Sequence, residues 1–310
     1  MRMEDHVTLK PDPQQYLDRR LSFKNVSTPV LGSLRWPSRP IMPDGNLAWT
    51  YMVEGDNPFA VFVGQTENRS VLPFECWVNG AKAPRGLTAV AKTLSADMRC
   101  QDGRWLQRKL GSLAKTKDDR RIKLEFTDRN AEVTSASAAL AQIVQYRLRQ
   151  LGLESTAEDE PSPLMDALMA QKEPKGATVA WACSILNPST GDDFELFLKE
   201  AQVGDMSRPY SIWCSGDYPR DLDGLSKLLS IDMQIVDPSW VGMKLRKLLN
   251  HPEAGGQFFA RVPGQQSKNW PSTVAFISAL IIERYRQLGI LDANGNAVRG
   301  MGVMVKTGTA

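Results

Sequence analysis

Between Lys82 and Lys123, twelve Lys/Arg stand against four acids, although the 310-residue chain as a whole carries a formal charge of only +3. Side chains of this kind do electrostatic rather than covalent chemistry. They neutralise phosphates and release counterions, which gives salt-dependent, largely sequence-independent binding of nucleic acid. The candidate phosphate ligands are Lys82, Arg85, Arg104, Arg108, Lys109, Lys115, Lys117, Arg120, Arg121 and Lys123, with the arginines able to add bidentate contacts. Trp36 and Trp270, each followed by a proline, are the candidates for exposed aromatic contacts. A solvated helix face, or one that docks on the acidic stretch 154–160, is the competing reading of the same charges.

Covalent and metal chemistry find little support. The only histidines are His6 and His251, and Cys76, Cys100, Cys183 and Cys214 show no C-x-x-C spacing, so neither a metal cluster, a dithiol pair nor a Ser-His-Asp arrangement is expected. Buried free thiols are. Glu75 and Asp97 could in principle serve as acid or base, but this is the weakest reading. No catalytic residue, metal or cofactor is therefore assigned. No apolar run reaches the length of a membrane span and the first residues lack a signal-peptide core, so a cytoplasmic protein with no membrane partner is expected.

The elements that must position these residues form a pattern that occurs twice. Pro73-Phe74-Glu75-Cys76-Trp77-Val78-Asn79-Gly80, then Pro84-Arg85 and Ser95-Ala96-Asp97-Met98, return as Pro209-Tyr210-Ser211-Ile212-Trp213-Cys214-Ser215-Gly216, Pro219-Arg220 and Ser230-Ile231-Asp232-Met233. Trp49 is answered by Trp181, Trp105 by Trp240, and Lys109-Leu110 by Lys244-Leu245. The tryptophans retained in both copies are read chiefly as core residues, with base stacking on a sheet as the alternative. Asp217 to Ala260, the counterpart of the basic stretch, holds five basic residues against six acids, so equivalent surfaces would be charged differently.

Within each copy the periods are those of strands first and helices afterwards. Strands are expected at 47–53, 59–63 and 74–78, followed by a helix over 86–100 with Leu87, Val90, Ala91, Leu94 and Met98 on one face. A second helix carries Trp105, Leu106, Leu110 and Leu113; a strand is expected at 122–126 and a last helix at 136–151. The fold class is α+β, two tandem copies of one domain, each a small antiparallel sheet followed by packed helices. The expected organisation is an extended arm (1–45), a basic first repeat (46–153), an acidic Pro-containing linker (154–175), a second repeat (176–291) and a flexible tail (292–310).

Arg39-Pro40, the paired strands, and Pro73-Phe74-Glu75-Cys76-Trp77-Val78-Asn79-Gly80 before an apolar helix resemble the C-terminal accessory region of adenosylcobalamin-dependent (class II) ribonucleotide reductases. The resemblance covers about a third of the chain and rests mainly on the eight-residue motif. It implies the accessory fold without the enzyme: the reductase's long barrel, its radical cysteine and its cobalamin site have no counterpart here. The function expected is a non-catalytic binding protein, with nucleic acid or a nucleotide as ligand and a phage or mobile-element genome as one setting. The alternative is a protein-interaction module that regulates or mimics a ribonucleotide reductase or another enzyme.

Overall fold

The computed structural model describes residues 29–32, 34–42, 45–66, 71–126, 131–154, 161–169, 179–203 and 206–298. The expected arm up to residue 28, much of the acidic linker and the tail beyond 298 lie outside the described residues. In chain order the elements are α1 (Pro29–Gly32), β1 (Leu47–Val53), β2 (Phe59–Gln65), β3 (Pro73–Asn79), α2 (Leu87–Met98), α3 (Gly103–Leu113), β4 (Ile122–Leu124), β5 (Ala131–Val133) and α4 (Ala136–Gln150). There follow α5 (Pro163–Asp166), β6 (Ala180–Asn187), β7 (Asp192–Val203), β8 (Met206–Asp217), α6 (Leu222–Met233), α7 (Pro238–Leu248), β9 (Phe258–Ala260), β10 (Lys268–Trp270) and α8 (Thr273–Gln287). The class is α+β, as expected.

Two compact units are present. Of the described residues, the first comprises those within Leu34–Ser162 together with Pro219–Leu228, and the second those of Pro29–Gly32, within Pro163–Tyr218 and from Leu229 onward.

In the first unit β1, β2 and β3 form an antiparallel meander. Side chains alternate across a pleated sheet, so Val53, Val61, Val63, Phe74, Cys76 and Val78 point to the buried side. Helix α2 lies on β3, with Leu87, Val90, Ala91, Leu94 and Met98 buried at the spacing read from the sequence. Each such leucine or valine withdrawn from water stabilises by about 1.5–3 kcal/mol. Ser95 fixes the contact: its hydroxyl accepts from the Cys76 N–H at 3.0 Å and also lies 3.0 Å from the Cys76 carbonyl. Helices α3 and α4 start at Asp102 and Ser135, whose side chains accept from the N–H groups of Trp105 and Ala138. Capping of this kind is worth about 1 kcal/mol. Gly152, at φ 66°, ends α4, with its N–H on the Arg149 carbonyl.

The second unit reuses these devices. Strands β6, β7 and β8 form a second antiparallel meander. Ser230 bonds the Ile212 N–H at 3.0 Å and the Ile212 carbonyl at 3.3 Å, and Asp237 and Ser272 cap α7 and α8. The pairing of β2 with β3 shifts between Gly64 and Gln65, and that of β7 with β8 between Lys199 and Glu200. At those shifts Arg147 of α4 donates to Gln65 and Arg284 of α8 to Glu200. Strands β7 and β8 run longer than the sequence pattern announces, and the hairpin of β9 and β10 was not expected from it. Arg208 is buried, donating to the carbonyls of Met233, the last residue of α6, and of Ile235 and Val236 just past it.

Candidate nucleic-acid interface

The basic stretch does not form one surface. Lys109 is 0% exposed: its ammonium donates to the Leu228 carbonyl at 2.6 Å and sits 4.6 Å from the Trp105 ring centre. It is a core group and cannot meet a phosphate. The apolar stripe of α3 explains this, since Lys109 falls beside Leu110 and one turn beyond Trp105 and Leu106, all buried. Arg120 is committed as well, donating to Asp118 and, at 2.8 Å, to Asp221. Burial opposes its charge, but the two carboxylates outweigh that and hold its proton more firmly than usual. Asp221 also accepts from the backbone N–H and hydroxyl of Ser137, and burial pushes its carboxyl up.

The remaining candidates are accessible. Lys82, Arg108, Lys115, Lys117, Arg121 and Lys123 are exposed, while Arg85 and Arg104 are partly buried. Arg121 lies 3.9 Å from Glu132, a distance at which an exposed pair contributes little. Lys227 joins Lys115 and Lys117: burial lowers its pKa, Asp223 opposes that, and the two lysines lower it further. Nothing in the run from 82 to 123 announces this residue, which comes from α6.

The aromatic expectations are exchanged. Trp270 is 3% exposed, with its indole N–H on the Ala260 carbonyl and its ring on Phe276, so it belongs to the core. Trp36 is partly buried and meets Phe74 edge-on at 5.9 Å. Of the tryptophans expected in the core, Trp105 and Trp240 are there, but Trp77 is 52% exposed, Trp49 50% and Trp213 40%. The strand period explains Trp77: with Phe74, Cys76 and Val78 inward, Glu75 and Trp77 must face outward.

On that outward face of the first sheet, Trp77 stands opposite Phe62, and Phe62 opposite Thr50. Arg39 lies over the Trp77 ring at 5.7 Å and grips Glu75 with two bonds of 2.7 Å. Glu75 itself is buried, because its side chain lies over Gly64, where any Cβ would come within 2.7 Å of it. The carboxylate raises the Arg39 pKa and fixes the guanidinium in place while leaving it about half exposed. Arg99 carries charge close to both; burial lowers its pKa, and its Nε is buried without a hydrogen-bond partner. A pinned guanidinium beside an exposed tryptophan, with a partly buried phenylalanine as its cross-strand neighbour, is an arrangement that can stack a base and hold the adjoining phosphate. Arg39 enters the sequence reading only within the Arg39-Pro40 segment of the resemblance, and neither it nor Phe62 is read there as a contact residue, although the alternation of β2 and β3 points to the outward position of Phe62.

On the second sheet Phe197 and Trp213 stack at 5.8 Å with planes 16° apart. Asp193, Glu195 and Asp217 share their outward side of β7 and β8.

Among the described residues no group of His, Cys, Asp and Glu is placed to hold a metal ion, and no helix is long and apolar enough to cross a membrane. No protein-family model, no curated protein and no solved structure matches this chain.

Proposed function

We propose that the chain is a non-catalytic binder of single-stranded nucleic acid, with the outward face of the first sheet as its contact surface. The observation that carries this is the exposed Trp77, opposite the partly buried Phe62 and with Arg39 pinned beside it by Glu75. Bases stack on such a platform with little regard to sequence, each worth about 1–3 kcal/mol. Lys82, three residues beyond the end of β3, the exposed Lys115 and Lys117 and the partly buried Lys227 would add the salt-dependent share.

The shared devices of the two units, above all the serine that spans one strand residue in each, support reading them as tandem copies of one domain. On that reading the chain derives from the accessory region of a class II ribonucleotide reductase, and only the first copy keeps the nucleic-acid face. The acids around Phe197 and Trp213 would repel phosphate. They favour a second role for that sheet, as a docking surface for a protein, which is the interaction-module reading confined to one half of the chain.

The test is a titration of the full-length chain with oligothymidylate, following tryptophan emission and the anisotropy of a labelled strand at low and moderate salt. Stacking on Trp77 should quench emission, and Trp77→Ala should weaken binding at least tenfold. Unchanged emission and anisotropy at low salt would dismiss the proposal.

A further inference from the structure

A cleft of about 310 Å³ opens in the first unit beside the start of β3. Leu72, Leu106, Leu148 and Leu153 give it apolar walls, and Arg35 and Gln101 are among its polar groups. Its size is at the lower end of small-molecule sites, and an apolar lining with a few placed polar groups is their usual make-up.

Gln101 is the feature that singles this cleft out. Among the described residues it is the one non-glycine with a left-handed backbone, at φ 55°. Glycine takes that conformation without cost and a long side chain does not. The side chain is held nonetheless: its amide nitrogen donates to the carbonyls of Pro73 at 2.8 Å and Met98 at 2.7 Å. With the nitrogen used, the amide oxygen is the group that Gln101 can offer a ligand. Arg35, exposed, rests on the Trp36 ring at 5.2 Å. The acids at the cleft are engaged, Asp102 with the Trp105 N–H and the Ser162 hydroxyl, and Glu154 with Arg149.

We propose that this cleft binds a single nucleotide unit, with the flat ring against the leucines, a ring-edge N–H donating to the Gln101 oxygen, and the phosphate on Arg35. This rests on the nucleic-acid reading and deepens it. Pro73 lines the cleft and Trp77 stands four residues further along the same strand, roughly 13 Å away at the rise of a β-strand. Arg39 and Glu75 lie between them. The cleft is the place where a strand stacked on Trp77 would insert one unstacked nucleotide.

The experiment uses the full-length chain, calorimetric titration with the four deoxynucleoside 5′-monophosphates, and the oligothymidylate titration in parallel. Two variants accompany it, Arg35→Glu, an exposed change, and Gln101→Gly, which removes the acceptor while relieving the backbone, so thermal melting should show both folded. At least one monophosphate should bind, with affinity reduced tenfold or more in each variant. If no monophosphate binds while the oligonucleotide still quenches Trp77, the cleft proposal is overturned and the sheet reading stands. Monophosphate binding that both variants leave unchanged overturns it too. Monophosphate binding lost in the variants, without oligonucleotide binding, would keep the cleft and remove the sheet.

Discussion

The indole N–H of Trp105 donates to a carboxylate oxygen of Asp97, eight residues earlier in the chain, at 2.7 Å, with both residues fully buried. Trp240 and Asp232 repeat the bond at the same separation and the same distance. A buried carboxylate is costly unless hydrogen bonds replace its water, so the tryptophan's polar edge matters as much as its area. In the second unit the Lys244 ammonium adds two bonds to Asp232, at 2.9 and 3.0 Å.

Replacing Trp105 by Phe keeps most of the ring and removes the donor, so a loss of about 1–3 kcal/mol is expected in urea unfolding. Trp240→Phe removes the matching bond to Asp232 and should destabilise likewise. Unchanged stability in either variant would show that the indole bond carries none of the effect.

Gly64→Ala tests the seat of Glu75. Within a strand, alanine would ordinarily stabilise over glycine by about 0.5–1 kcal/mol, but here the new methyl meets Glu75 Cγ at 2.7 Å and Oε1 at 2.9 Å. The substitution should lower Tm by displacing the carboxylate from Arg39, and the loss should vanish in a Glu75→Ala background. A rise in Tm for Gly64→Ala alone would mean that Glu75 has a second resting place.

All four cysteines are free, with Cys76, Cys100 and Cys214 buried. Burial pushes the Cys76 thiol up to about 12, and the partly exposed Cys183 is also raised, by burial first and then by Glu195. A thiolate is the reactive form, so native protein at pH 8 should label slowly and at Cys183 alone, with all four reacting in denaturant. Early labelling of Cys76, read by mass spectrometry, would contradict its burial against Ala91 and Ser95.

Glu283 accepts two bonds from Arg286, with Gln265 and Gln287 adding others, and its carboxyl is held below its ordinary value of 4.5. A carboxyl depressed in the folded state adds stability that is complete above its unfolded pKa and drains away as pH falls through the folded one. Melting curves from pH 6 down to pH 3 should therefore fall less steeply for Arg286→Gln than for the parent chain. Parallel curves would remove Glu283 from the acid response.

Much of this was legible in the chain. The strands of the first meander and the apolar face of α2 follow from side-chain period and local chemistry, which need no long-range contact. Lys109 was misplaced because a charge count is blind to direction: one residue before Leu110 on an amphipathic helix is already the buried side. Trp77 was misjudged for the opposite reason, since recurrence of an aromatic was weighed above the two-residue alternation that sends it outward. Arg39 and Lys227 were not read as contact residues because each acquires that meaning from a residue far away, Glu75 in one case and Lys115 with Lys117 in the other. The cleft could not have been found, since its walls come from four separate stretches of the chain.

Arg208, finally, ties the order of folding to the topology. Its guanidinium serves the carbonyls of Met233, Ile235 and Val236, groups that no residue within the helix can reach. The end of α6 therefore stays incomplete until β8, some 25 residues earlier in the chain, is in place. Strand and helix should acquire protection from hydrogen exchange together, as one cooperative unit, rather than the helix first by local propensity.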